Sequence, residues 1–349
     1  MSLISRTYFV LLLGFFALGT ACNRAGTQST SEASTAPAVK VGLVLDKGGK
    51  DDKSFNTSAF EGFTRAKKNL GIPGKMVEAT DDNSFEPMLQ HMARKDFNLI
   101  IAIGVSQADA VKKVASRFPD KKFAIVDAEV DAPNVRSLLF QEHEGSYLVG
   151  ALAALTSKSG KIGFIGGMDI PLIRRFEMGY VAGARAVNPK VQVSANYVGV
   201  TGDAWNNPAK GKELALSQYG SGVDVIFAAA GASGNGLFDA AEEKKFFAIG
   251  CDSNQNWIKP GYVLTSMMKR VDVAVYDVIS EFKEGKFTGG VKRYGLSNQG
   301  IDYAMDKNNE PLVSAAAKAK VDQLKSEIVA GKIRVPDYYT KKNDAAKSN

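Results

Sequence analysis

Six short apolar runs in this chain end on an aspartate or a glycine. Asp46, Gly104, Asp127, Gly166, Gly231 and Asp252 each stand where a stretch of Val, Ile, Leu, Phe and Ala stops. Unbroken runs rich in β-branched and aliphatic residues suit strands buried on both faces of a parallel sheet. Between them lie segments with apolar residues at helical spacing, such as Phe60, Phe63, Ala66 and Leu70, or Val111, Val114 and Ala115. Alternating strands and helices imply right-handed crossovers and a doubly wound, mostly parallel α/β sheet. Ligands of such sheets bind beyond the carboxyl ends of the strands, so the six residues converge on one edge.

In order, the pattern predicts strands at 41–45, 75–79, 99–103, 123–126 and 135–140, then a helix at 142–156. It restarts with strands at 161–165, 191–198, 223–228, 246–250 and 263–266, and helices at 172–187, 237–243 and 271–282. Short strands at 291–296 and 301–305 and a final helix at 313–329 follow. The expected organisation is an N-terminal lobe over 39–142, completed by segments after about residue 272, and a C-terminal lobe over 143–271. Residues 272–335 supply the return segments and the last helix, and 336–349 a frayed polar tail. Two similar α/β halves describe a two-lobed, hinged binding protein better than a single-domain enzyme.

The first residues carry an address. Arg6 precedes an apolar run over 8–18, and the small residues Gly19, Thr20 and Ala21 lead to Cys22. The run is shorter than the roughly 20 apolar residues of a membrane-spanning helix and reads as a secretory signal. Small residues before a cysteine resemble a bacterial lipoprotein signal, in which Cys22 becomes the acylated first residue; cleavage and secretion are the alternative. Residues 23–38 are mostly Ser, Thr, Ala, Gly and Gln and read as a flexible tether. The expected location is the cell envelope, lipid-anchored and facing the periplasm or the exterior. The other cysteine, Cys251, follows an apolar run and reads as a buried thiol.

The formal charge of +7 is scattered rather than gathered into a basic stripe with aromatics, which argues against nucleic acid. Only two histidines, His91 and His143, are present, and both read as surface or capping residues, so neither a metal site nor a cofactor is expected. Carboxylates and glycines at one sheet edge make a polar cleft suited to uncharged, hydroxyl-rich ligands, since carboxylates accept from O–H and N–H and would repel phosphate. Any one of these aspartates could instead cap a helix or form a turn. The GASGNG turn at 231–236 lacks the Gly-Lys-Ser/Thr of a phosphate loop. Trp205, in a loop rich in Gly, Asn and Pro, is a candidate ligand platform.

Six motifs carry a resemblance over about residues 39–306: DDKSFN followed by Phe60, Glu61 and Gly62; AIVDA around Asp127; GFIGGMDIPLIRRFEMGY; AAAGASGNG; GCDSNQ; and LTSMMKRVD around Lys269. Together they resemble the basic membrane protein family of bacterial lipoproteins, the substrate-binding components of ABC importers that take purine nucleosides. The resemblance implies a type I periplasmic-binding-protein-like fold, a purine nucleoside (guanosine, adenosine or inosine) and an ABC permease as partners, and a monomer held to the membrane by lipid. It implies that Phe55 and Trp205 stack on the two faces of the base and that Asp127 with Asn56 meets its edge. Asp46, the Gly231 backbone, Asp252 and Lys269 would hold the ribose. The family loop commonly reads Phe-x-Asp-Pro, where this chain has Trp205 and Asn207 before Pro208.

Three other readings stand beside this one. A sugar or autoinducer receptor of the same two-lobed class would use the same cleft. Asp46, Asp51 and Asp52 also resemble, in part, the calcium-binding aspartates of nucleoside hydrolases, with Gly48 where that pattern has a further aspartate. In a surface adhesin or signalling lipoprotein the cleft would be vestigial.

Overall fold

The computed structural model describes residues 39–340, so the signal, Cys22, the tether and residues 341–349 lie outside the described residues. The first apolar run becomes β1 (Val41–Leu45), buried at every residue because both of its faces are covered. The chain then enters α1 (Phe55–Leu70), whose start is capped from outside the helix: the Asp52 carboxylate accepts the N–H groups of Ser54, Asn56 and Thr57 at 2.8–2.9 Å. Its Asn56, Ala59, Phe63 and Ala66 are buried at the spacing of one helical face, and Gly71, at φ +64°, ends it in the left-handed conformation.

The same unit repeats through β2 (Gly74–Glu78), α2 (Phe85–Arg94), β3 (Leu99–Ile103), α3 (Ala108–Arg117), β4 (Lys122–Val126) and β5 (Val135–Phe140). The chain crosses into α4 (Glu142–Thr156), then β6 (Lys161–Met168), α5 (Pro171–Val187), β7 (Gln192–Gly199), α6 (Pro208–Gly220), β8 (Val225–Ala229), α7 (Asn235–Lys244), β9 (Phe247–Asp252) and β10 (Val263–Lys269). It ends with α8 (Val271–Lys283), β11 (Gly290–Tyr294), β12 (Ile301–Tyr303) and α9 (Ala315–Val329). Two six-stranded sheets result, ordered β11-β5-β4-β3-β1-β2 and β12-β10-β9-β8-β6-β7. Every pairing is parallel except β12 on β10. This is the two-lobed, mostly parallel α/β architecture expected.

The last third divides between the lobes. Helix α8 packs on α1 and β11 pairs with β5, which completes the first sheet, whereas β12 pairs with β10 and α9 packs on α4 in the second. Three crossovers therefore join the lobes, at Gln141, at Arg270 and over 295–300. The expectation that the segments after about 272 complete the first lobe holds for α8 and β11 only. A three-residue strand carries no periodicity to say which sheet it joins.

Three further differences have local causes. Helix α6 had no counterpart in the predicted elements, since only Gly211, Ala215 and Gln218 are buried along it and its apolar stripe is weak. His143 is buried, because α4 is apolar nearly all round and is enclosed on all sides. The tail is not frayed over 336–340: Asp337 pairs with the buried Arg175, and the Tyr339 ring lies against its guanidinium.

Candidate ligand-binding site

The carboxyl ends of the two sheets face one another across a cavity with about 580 Å³ of space free of protein atoms, part of it open to solvent. Asp46, Phe55, Asn56, Asp127, Trp205, Gly231, Asp252 and Lys269 all line it. The cavity brings together residues from five elements and the loops between them, as the strand-end pattern requires.

Each polar side chain is held by its own local structure. Asp46 closes β1 with Oδ1 accepting the Lys47 N–H at 2.7 Å, and it is 7% exposed. Gly104, at φ +111°, sits so close that a Cβ there would fall 2.4 Å from Asp46 Oδ2; only glycine fits. The Asn56 side chain is committed to the same turn, with Oδ1 accepting the Asp46 N–H at 3.1 Å and Nδ2 donating to the Lys47 carbonyl at 3.2 Å. Asp127 and Asp252 close β4 and β9 at φ +71° and +68°, a left-handed conformation uncommon outside glycine, and both are buried. Backbone strain at two buried strand-end carboxylates fits a site more than a turn.

Lys269, the last residue of β10, is 1% exposed. Its Nζ lies 2.6 Å from Asp127 Oδ2 and 3.1 Å from Glu142 Oε1, within a collar of Phe55, Phe140 and Phe176 whose ring centres are 5.1–5.5 Å away. Burial disfavours its charge, but Asp127, Glu142 and Asp252 outweigh that and hold the ammonium above the ordinary lysine range. Burial pushes Asp127 up to about 7 against the pull of Lys269, and Asp46 up to about 6. Asp252 is moved upward by the same desolvation. The other Asp127 oxygen, Oδ1, is buried without a hydrogen-bond partner among the described residues.

The apolar half is aromatic. Trp205 is half-buried on a 3₁₀ turn, its indole over the end of β6, where a Cβ on Gly167 would stand 2.1 Å from the ring. Ser233 Oγ fixes that turn by accepting the Asn207 N–H and donating to the Ala204 carbonyl, both at 2.7 Å. Asn207 itself caps α6, accepting the Lys210 N–H at 3.0 Å, a role that asparagine and aspartate fill equally well. Gly231 begins the next turn at φ +56°. Phe176, which lines the cavity from α5, was not singled out from sequence. Its motif GFIGGMDIPLIRRFEMGY marked the region, but nothing local distinguishes it from a core phenylalanine.

The lobes are latched across this cavity. Ser54 Oγ donates to Asp252 Oδ2 at 2.6 Å, Ser253 Oγ to the Ser54 carbonyl at 2.8 Å, and Gln255 Nε2 to the Lys53 carbonyl at 2.9 Å. The three aspartates weighed as a calcium set do not converge: the Asp52 carboxylate caps α1, and Asp51 points to solvent beside Lys50. Among the described residues no group of three or more His, Cys, Asp or Glu is arranged to hold a metal ion, and no helix is long and apolar enough to cross a membrane.

The sequence matches the family Bmp, described as ABC transporter substrate-binding protein PnrA-like, over residues 39–338. It is 37% identical over 360 residues to the CD4+ T-cell-stimulating antigen of Listeria innocua, covering 95% of this chain and 99% of that one. It is 36% identical over 356 residues to the ABC transporter nucleoside-binding protein BmpA of Lactococcus lactis subsp. cremoris, covering 94% and 98%. An ABC transporter solute-binding protein from Aeropyrum pernix superposes with a TM-score of 0.79 at 30% identity, covering 86% and 96%.

Proposed function

Because the chain belongs to the Bmp family of PnrA-like ABC transporter substrate-binding proteins, we propose that its cavity captures a purine nucleoside (guanosine, adenosine or inosine) for delivery to a membrane permease. Membership makes it a substrate-binding protein with a ligand and a transporter partner, and relatives named as lipoproteins support an extracytoplasmic place of work. The nucleoside assignment rests on one observation above others. A single cavity holds aromatic rings on both lobes, Phe55 and Trp205, beside three buried carboxylates and a buried ammonium. A flat base needs the first and a ribose the second.

In this reading Phe55 and Trp205 stack on the base, an interaction of roughly 1–3 kcal/mol per base in single-stranded nucleic-acid sites. Asp127 Oδ1 accepts from the base edge, while Asp46, Asp252, Lys269 and the Gly231 backbone hold the sugar hydroxyls. Asn56 acts by fixing the Asp46 turn, its amide being committed there already. Phosphate esters are rejected by the carboxylates. Lobe closure around the ligand, through contacts of the Ser54–Asp252 kind, is the signal the permease reads.

Isothermal titration of the full chain in detergent against guanosine, adenosine, inosine, a pyrimidine nucleoside, ribose and a free purine tests this. The expected result is tight one-to-one binding confined to purine nucleosides. Binding of ribose without any nucleoside would move the protein to the sugar receptors of this fold. We further read the protein as a monomer anchored through an acylated Cys22. The Cys22→Ala chain should leave the membrane fraction for the soluble one, and its retention on the membrane would overturn the anchor.

A further inference from the structure

The Lys269–Asp127 pair is one end of a longer ionic chain. Glu142, whose Oε1 faces Lys269, accepts from Arg175 Nη1 through Oε2 at 2.7 Å. Arg175 then turns Nε and Nη2 on both oxygens of Asp337, at 2.7 and 2.8 Å, and its guanidinium carbon lies 5.0 Å from the centre of the Tyr339 ring. Asp127, Lys269, Glu142 and Arg175 are each less than a tenth exposed. The chain therefore runs from the ligand cavity, through the interior, to the segment that follows α9. Its middle members flank two of the crossovers: Glu142 is the first residue of α4, and Lys269 the last of β10. Arg175 also donates to the Phe140 carbonyl at the end of β5 and immediately precedes Phe176.

We infer that Asp337 is a positioning residue for the ligand site, fixing through Arg175 and Glu142 where the Lys269 ammonium stands relative to Asp127. The inference rests on the cavity reading above only for the identity of the ligand. A guanidinium has five N–H donors, and here Asp337 satisfies two of them in the bidentate geometry that holds arginine most firmly. Without that charge, Arg175 must share Glu142 with Lys269 as its carboxylate partner in a low-dielectric interior, and draws both Glu142 oxygens to itself. Lys269 then loses one of its two anchors and moves wholly onto Asp127. The ammonium leaves the position from which it meets a ligand, and Asp127 ionises more readily.

The groups facing each end fix the sign. Asp127 is faced by Lys269 from β10, Glu142 from α4, Asp252 from β9 and Tyr339 from the segment after α9, and Asp337 by Arg175 from α5, His143 and Glu144 from α4 and its own neighbour Tyr339. Removing the Asp337 charge adds net positive charge to the chain, which favours the ionised form of Asp127.

The test compares the full chain with Asp337→Asn and Asp337→Glu, by two readouts. The first is the titration midpoint of the Asp127 carboxyl carbon, followed by NMR in ¹³C-aspartate-labelled protein without ligand. The second is affinity for guanosine, inosine and adenosine. Asp337→Asn should lower the midpoint by about half a unit to one unit and weaken nucleoside binding about five- to twentyfold, and Asp337→Glu should restore most of both. A folded Asp337→Asn chain with an unmoved midpoint overturns the coupling, and so does a moved midpoint with unchanged nucleoside affinity. If the unaltered chain binds no nucleoside while the midpoint moves, the nucleoside reading falls and the coupling stands.

Discussion

Replacing Lys269 by methionine is expected to destabilise the protein by about 3–5 kcal/mol at neutral pH and to abolish ligand capture. Methionine matches the lysine stem in length and can sit among Phe55, Phe140 and Phe176, so the loss is electrostatic rather than steric. Among the described residues it removes the one cation within bonding distance of Asp127, whose remaining neighbours Glu142 and Asp252 are carboxylates. The sign of the pH dependence follows. Burial already holds Asp127 and Asp252 above their unfolded values, and losing the ammonium raises them further. A carboxyl whose folded pKa is raised binds more protons in the native than in the unfolded state. Its contribution to stability is therefore retained below the unfolded value near 4 and lost as pH rises through the folded one. The Lys269→Met defect should be several-fold smaller at pH 5 than at pH 8. Chemical denaturation at the two pH values measures it, and equal defects would show that the lysine acts by packing alone.

Much of this site is legible in the amino-acid sequence because its residues are local strand ends. The runs closing at Asp46, Asp127 and Asp252 need only composition to be seen, and parallel topology then places them on one edge. Strand β1 and helix α4 begin and end where the pattern places them. What could not be read is whatever depends on a partner far along the chain. Arg175 and Asp337 are 162 residues apart, and a lone Asp in a polar tail looks like any solvated charge. Glu142 looks like an ordinary first-turn acid, favourable at a helix start, until Lys269 and Arg175 are seen on either side of it. Helix α6 is a different case. Its signals were present in Asn207 as cap and Pro208 at the first position, but a stripe as thin as Gly211, Ala215 and Gln218 gives periodicity little to register.

Asp252→Ala is expected to weaken nucleoside binding about a hundredfold while changing free-purine binding by less than about threefold. A hydrogen bond to a buried charged group is worth about 1.5–3 kcal/mol, and a ribose presents vicinal hydroxyls that a carboxylate can accept together. Two other effects of the substitution must be separated from this one. Alanine is strained at φ +68°, and the change also removes the acceptor of Ser54 Oγ, one of the contacts that close the lobes. Neither involves a ribose hydroxyl, so both penalise every ligand alike, whereas loss of a ribose contact penalises only ligands that carry a ribose. Ser54→Ala supplies the comparison, since it deletes the Ser54 Oγ contact and leaves the carboxylate. It should weaken nucleoside and free purine by the same factor. The ratio of nucleoside to purine affinity is therefore the decisive quantity, titrated for both variants. If Asp252→Ala leaves that ratio where Ser54→Ala leaves it, Asp252 serves closure and the ribose must be held by Asp46 and Lys269.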